Sequence, residues 1–139
     1  MDTIDVMLDD GAFAPERAHS ADAGFDIRTP IPFTVKDGGS YTVGTGVHIS
    51  IPEGYVGFLK SKSGLNVYDG ITGEGVIDAG YTGAIVVKLY NNGYGDKEFR
   101  RGDKIIQLVI LPVATPRVKI VESFEKTERG NDGFGSTGR

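Results

Sequence analysis

Asp78 stands at the tip of a short apolar run, Val76-Ile77, and is followed by a Gly-containing turn and an aromatic ring, Tyr81. Strand interiors disfavour aspartate, so this one is either a turn former or a reactive carboxylate held by a rigid scaffold. A second segment, Lys60-Ser61-Lys62-Ser63-Gly64-Leu65, joins cations and hydroxyls to the start of a possible helical turn. Consecutive amides there, with Lys62 and the Ser63 hydroxyl, can cradle a phosphate. The G-x-x-x-x-G-K-[ST] spacing of a Walker loop is missing, and a solvated basic loop is the plain alternative.

Other segments add polar groups at unusual places. Ala23-Gly24-Phe25-Asp26-Ile27 sets an acid between apolar residues and reads by itself as a strand end with a capped turn. Asp69 to Gly75 is Gly-rich; its exposed backbone can hydrogen-bond a flat polar ring, or simply form a flexible hairpin. Arg101 to Leu108 is a turn feeding an apolar strand with one polar residue, Gln107, whose ordinary role would be a satisfied interior amide. The segment from Glu125 to Arg139 is rich in charge and glycine and has Phe134 as its single aromatic. It cannot build a core and reads by itself as a loose terminus. Yet an arginine, glycines, one ring and adjacent hydroxyls at Ser136 and Thr137 are the groups needed to close over a phosphorylated, ring-bearing ligand.

The elements that must position these groups are strands. Among 139 residues there are 21 glycines, and the apolar residues fall in short runs between turn formers rather than at helical spacing. The expected strands are Thr3 to Leu8, Ile31 to Val35, Tyr41 to Ile51, Tyr55 to Lys60, Gly75 to Ile77, Ala84 to Tyr90, Lys104 to Leu111 and Arg117 to Val121. One short helix is expected at Ser63 to Tyr68, with Ser63 as its N-cap. Strands of this length with frequent turns predict one all-β domain, a jelly-roll or related barrel or sandwich. In Lys104 to Leu111 the apolar residues fall on both faces; a subunit interface is the simplest cover for the second, and the centre of a helix-free sandwich is the plain alternative.

Composition narrows the function classes. The absence of cysteine and the presence of only 2 histidines argue against a structural zinc site, a thiol nucleophile or a Ser-His-Asp machine. A net charge of -4 argues against stable nucleic-acid binding. No apolar run approaches the roughly 20 residues of a membrane span, and the acidic start lacks the features of a secretion signal, so a cytoplasmic location is expected.

Taken in order, these segments resemble the motifs of the trimeric dUTP pyrophosphatase (dUTPase) family. AGFDI at Ala23 to Ile27 looks like the first motif, SKSGL at Ser61 to Leu65 the second and GVIDAGYTG at Gly75 to Gly83 the third. RGDKIIQLVI at Arg101 to Ile110 looks like the fourth and RGNDGFGSTG at Arg129 to Gly138 the fifth. The resemblance implies a jelly-roll-like β domain, residues 1–124, assembled as a homotrimer with active sites shared between subunits. Residues 125–139 would be a flexible tail that closes over a neighbour's site. The implied reaction is hydrolysis of dUTP to dUMP and pyrophosphate, which limits uracil incorporation into DNA and supplies dUMP for thymidylate synthesis.

By the same resemblance, Asp78 would activate the water that attacks the α-phosphorus. Lys62, Ser63, Gly64, Gln107, Arg129, Ser136 and Thr137 would hold phosphate. Thr72, Gly75, Val76 and Ile77 would read the uracil edge from a hairpin, Tyr81 would pack under deoxyribose, and Phe134 with Gly135 would cover the base. Mg²⁺ would ride on the phosphates, with Asp26 as its partner through water. The second motif departs from the family in having Ser61-Lys62 where Pro-Arg is usual, exchanging a bidentate fork for a point charge. The first has Phe25 where Tyr is usual. The enzymatic rival is a deoxycytidine triphosphate deaminase on the same fold, whose base would have to be Glu74. The rival of another class is a non-catalytic regulatory protein that keeps the nucleotide pocket, and the sequence names no regulatory protein partner.

Overall fold

Alternation of apolar and polar residues sets the sheets. In Ala84–Asn91 the inward residues Ile85, Val87, Leu89 and Asn91 are buried, while Val86, Lys88 and Tyr90 face out. A computed structural model describes residues 1–135, 137 and 138. Its strands are β1 (Asp5–Leu8), β2 (Gly24–Arg28), β3 (Phe33–Val35), β4 (Ser40–Ser50), β5 (Tyr55–Lys60), β6 (Ile71–Thr72), β7 (Glu74–Ile77), β8 (Ala84–Asn91), β9 (Lys97–Phe99) and β10 (Lys104–Pro112). One helix, α1 (Ser63–Asp69), lies between β5 and β6.

The strands form two four-stranded sheets, ordered β1-β4-β8-β6 and β2-β10-β5-β7, and a ribbon of β3 with β9. Every pairing is antiparallel. Residues of both large sheets meet in one core, Val43, Val87 and Leu89 from the first with Ile27, Leu59 and Leu108 from the second. Phe33 closes one end, stacked on Tyr41 and Phe99 with ring centroids 4.6 and 4.9 Å apart. This is the expected jelly-roll-like β architecture with one short helix.

Several expectations are corrected. Ala23 to Ile27 is not a strand end: β2 runs through it and buries Asp26 at its centre. β6 and β9 were absent from the expected strands, being too short to show a period. Arg117 to Val121 forms no strand, because the described chain offers it no partner and leaves Val118 and Ile120 exposed. The cap of α1 is Lys62 rather than Ser63, with no side-chain cap bond, and the helix ends on Gly70 in the left-handed conformation (φ 66°). Within the chain β10 covers only part of its two apolar faces, Val109 and Ile110 staying half-buried. Its register against β2 shifts between Lys104 and Ile106, a bulge that lets the successive residues Ile105 and Ile106 both be buried.

Candidate active site

The segment after β7 is a tight turn. Tyr81 N–H donates to the Asp78 carbonyl at 3.2 Å, and Gly80 has φ 85°, which fits a type II turn with Asp78 in first position. Gly80 N–H also donates to the Ile51 carbonyl at 3.3 Å, tying the turn to the connection between β4 and β5. Asp78 is therefore a turn residue, and its side chain is nevertheless free. The carboxylate is exposed and makes no hydrogen bond or ion pair among the described residues. It lines an open groove with Val76, Ala79, Tyr55, Phe58 and Val113.

Tyr81 folds back over the same turn, its hydroxyl donating to the Ala84 carbonyl at 2.9 Å. A Cβ at Gly83 would lie 2.4 Å from that hydroxyl, so the ring's position needs glycine there, a requirement the sequence reading did not draw from Gly83. Thr72 to Asp78 is not a hairpin, because β6 pairs with β8 in one sheet and β7 with β5 in the other. The chain crosses between sheets at Gly73, where a Cβ would meet Ile106, Leu89 and the Lys88 carbonyl at 3.0 to 3.1 Å. β7 is an edge strand, so on its outer side alternate residues of Glu74 to Ile77 present unpaired backbone groups. Gly75 sits close over Leu59, Val76 is exposed and Ile77 is buried. The Thr72 hydroxyl accepts from the Asn92 amide at 3.1 Å.

A cationic cluster forms where β2, β5 and β10 adjoin. The buried Asp26 pairs with Lys62 through one oxygen and with Lys104, at 3.0 Å, through the other. Burial pushes the Asp26 carboxyl up, but its bonds and attraction to Lys62 and Lys104 outweigh this and hold it below the usual aspartate value. Lys104 was missing from the sequence-derived site. The Gln107 amide donates to the Ser61 carbonyl at 3.0 Å, and the Ser61 hydroxyl donates to the Gly73 carbonyl at 3.2 Å while accepting from Gly73 N–H at 3.0 Å. Gln107 is thus a strut that fixes the second motif. Ser63 and Gly64 open α1, whose first internal bond is Asn66 N–H to the Lys62 carbonyl at 2.9 Å. Their N–H groups precede it and are available to an anion.

The strut depends on Gly24, where a Cβ would lie 2.4 Å from Gln107 Oε1 and 3.0 Å from its Cβ. Gly24→Ala is expected to displace the amide and lower stability by about 1–3 kcal/mol, read as a lower urea midpoint with unchanged slope.

The two halves of the site do not meet within one chain. Glu74 lies opposite Lys60, and Ile77 opposite Gly57, so Lys62 and Asp78 sit at opposite ends of the β5–β7 ladder. The four-residue step from Glu74 to Asp78 alone spans about 13 Å. The tail is a third separate part. Among the described residues its last hydrogen bond to the body is Val113 N–H to the Gly54 carbonyl, 2.9 Å. Arg129 turns to its own tail, Nε donating to the Asp132 carbonyl at 2.7 Å, and Phe134 is fully exposed. Arg129, Phe134, Gly135 and Thr137 line one concavity of the tail; Ser136 lies outside the described residues.

The described residues hold no group of three or more acidic or histidine side chains able to bind a metal. Each oxygen of Asp26 accepts from one lysine and keeps a further lone pair, the acceptor that a contact with Mg²⁺ through water would use. No helix among the described residues is long and apolar enough to cross a membrane.

The dUTPase family model matches residues 10–138. The deoxyuridine 5'-triphosphate nucleotidohydrolase of Tropheryma whipplei (strain Twist) is 39% identical over 99% of this chain and 96% of its own length. That of swinepox virus (strain Kasza) is 38% identical over 96% of this chain and 94% of its own. The Staphylococcus bacteriophage 80alpha dUTPase, solved with dUPNHPP, superposes with a TM-score of 0.93 at 34% identity, each chain fully covered. A mutant dUTPase from phage phi11 of S. aureus, described as coordinating a structural Mg(II) ion, gives 0.83 at 35% identity over 90% of this chain and 100% of its own.

Proposed function

This chain belongs to the dUTPase family, and from that premise we propose that it hydrolyses dUTP to dUMP and pyrophosphate with Asp78 as the general base. The observation that carries the assignment is the free carboxylate of Asp78, held by a rigid turn at the end of an edge strand whose backbone can read a base. A carboxylate without a partner can take a proton from a water. The water oxygen bonds to the α-phosphorus, the bond from that phosphorus to the bridging oxygen breaks, and pyrophosphate leaves with the electron pair. Lys62, with the amides of Ser63 and Gly64, would hold the phosphates in line; Gln107 would act by holding that loop. Arg129, Ser136 and Thr137 of the tail would neutralise charge on the departing group.

Outward backbone groups from Gly75 to Ile77 would match the uracil edge, with Thr72 fixing the crossing beside them. A cytosine edge would leave those groups wrongly paired. Tyr81 would pack under deoxyribose, and Phe134 with Gly135 would cover the base. Because Asp78 and the lysine cluster stand apart in one chain, a complete site needs a second copy, which favours a homotrimer with shared sites. The tail, residues 125–139, would close that site from a neighbour. Mg²⁺ is assigned to the substrate triphosphate, since the described residues offer no cluster of their own. Such an enzyme would work in the cytoplasm, supplying dUMP and keeping uracil out of DNA.

The deaminase reading finds no support at Glu74. Both of its oxygens accept from Lys60 Nζ at 3.0 Å, and the side chain is exposed. The test is pyrophosphate and ammonia release from a panel of dUTP, dCTP, dTTP and UTP with Mg²⁺. Pyrophosphate from dUTP is expected at least about a hundredfold faster than from the others. Ammonia from dCTP would support the deaminase instead.

A further inference from the structure

His48 lies on β4 between the buried residues Val47 and Ile49 and faces away from the core. Both ring nitrogens meet oxygen acceptors, Nδ1 at 2.7 Å from the Thr82 carbonyl and Nε2 at 2.9 Å from Asp9 Oδ1. A carbonyl and a carboxylate oxygen are both acceptors. A neutral imidazole carries one N–H, so only the imidazolium satisfies both contacts. The hydrogen bond to the Thr82 carbonyl, helped by Asp9 and opposed by partial desolvation, holds His48 above the usual histidine value.

The surroundings agree. In register β1 sets Met7 and β8 sets Ala84 against His48. Asp5 of β1 lines the same depression, with Val6, Met7, Ser50 and Thr82, and among the described residues no lysine or arginine lines it. The charged groups facing the ring are thus Asp9 and Asp5, both acidic. On losing a proton the ring keeps the other on Nε2, because the carboxylate is the better acceptor, and Nδ1 then turns a lone pair toward the Thr82 carbonyl. Deprotonation releases Thr82.

Thr82 follows Tyr81 directly, and the loop from Tyr81 to Ala84 is held by two side-chain bonds, Tyr81 hydroxyl to Ala84 and His48 to Thr82. We infer that His48 is a positioning residue that, as the imidazolium, fixes Thr82 and through it the Tyr81 ring, so that discrimination of deoxyribose from ribose weakens as His48 deprotonates. This rests on the reading of Tyr81 as the sugar platform.

The test compares kcat and KM for dUTP and UTP between about pH 6 and 9 in wild type, His48→Asn and His48→Gln, with the melting temperature of each. Asparagine places a permanent donor near the Nδ1 position and glutamine near Nε2. In wild type the dUTP/UTP ratio of kcat/KM is expected to fall about tenfold as pH rises through the His48 titration. His48→Asn should keep the high ratio and flatten its pH dependence, whereas His48→Gln should show the low ratio throughout. Equal ratios in all three proteins, whatever their melting temperatures, would overturn the inference. ¹⁵N NMR adds a readout free of turnover: the His48 ring should be doubly protonated at neutral pH, and the Gly83 amide should titrate with it in wild type but not in His48→Asn. A silent Gly83 amide in an active wild type overturns the tether. A titrating Gly83 amide in a wild type that does not hydrolyse dUTP keeps the tether and overturns the reading of the site together with the selectivity claim.

Discussion

Asp78→Asn protein is expected to fold as wild type does, bind a non-hydrolysable dUTP analogue and turn over dUTP about a thousandfold more slowly. The direction follows from what the amide can still do. Asparagine occupies nearly the same volume and can sit first in the same turn, so the Tyr81 bond to the residue 78 carbonyl and the Gly80 bond to Ile51 are untouched. Since the carboxylate is exposed and pairs with no described residue, its loss strands no charge, and stability should stay within about 0.5 kcal/mol. What disappears is the capacity to accept a proton from water. Pyrophosphate release in single-turnover and steady-state assays gives kcat, and analogue titration gives Kd. Undiminished hydrolysis would reduce Asp78 to a turn residue.

The parts of this architecture legible in the sequence are those whose cause is local. The alternation of Ala84–Asn91, the turn glycines and the long apolar strands are set by neighbours in the chain. The buried acid of β2 has its cause elsewhere: Asp26 is tolerated in a strand centre because a lysine 36 residues away reaches it, with Lys104 from another strand on its second oxygen. Read locally, that acid could only mark a strand end. Gln107 is assigned to phosphate by analogy, and its bond to the Ser61 carbonyl uses one amide proton and leaves the other to give. The pattern of Arg117 to Val121 is a true strand pattern without a partner in the described chain. Periodicity reports what a segment would bury, while pairing depends on what lies beside it. His48 left no signal, because both of its acceptors arrive from loops remote in sequence.

Ending the chain at Glu128 is expected to leave a folded oligomer and lower kcat/KM for dUTP by about a hundredfold or more. Past Val113 no hydrogen bond joins the described tail to the strands, and Phe134 touches water on all sides. Removing it uncovers no core, so the melting temperature should barely move. Any loss of turnover must then come from groups that the tail brings to substrate, Arg129 and Phe134 first among them. Full activity in the shortened protein would end that role. Whether the tail serves its own chain or a neighbour is settled by co-refolding the shortened protein with Asp78→Asn in equal amounts, two proteins nearly inactive alone. If base and tail at each site come from different chains of a trimer, about a quarter of the sites combine an intact acid with an intact tail, and activity returns in that proportion. If each tail closes over its own Asp78, no combination is productive and the mixture stays inactive.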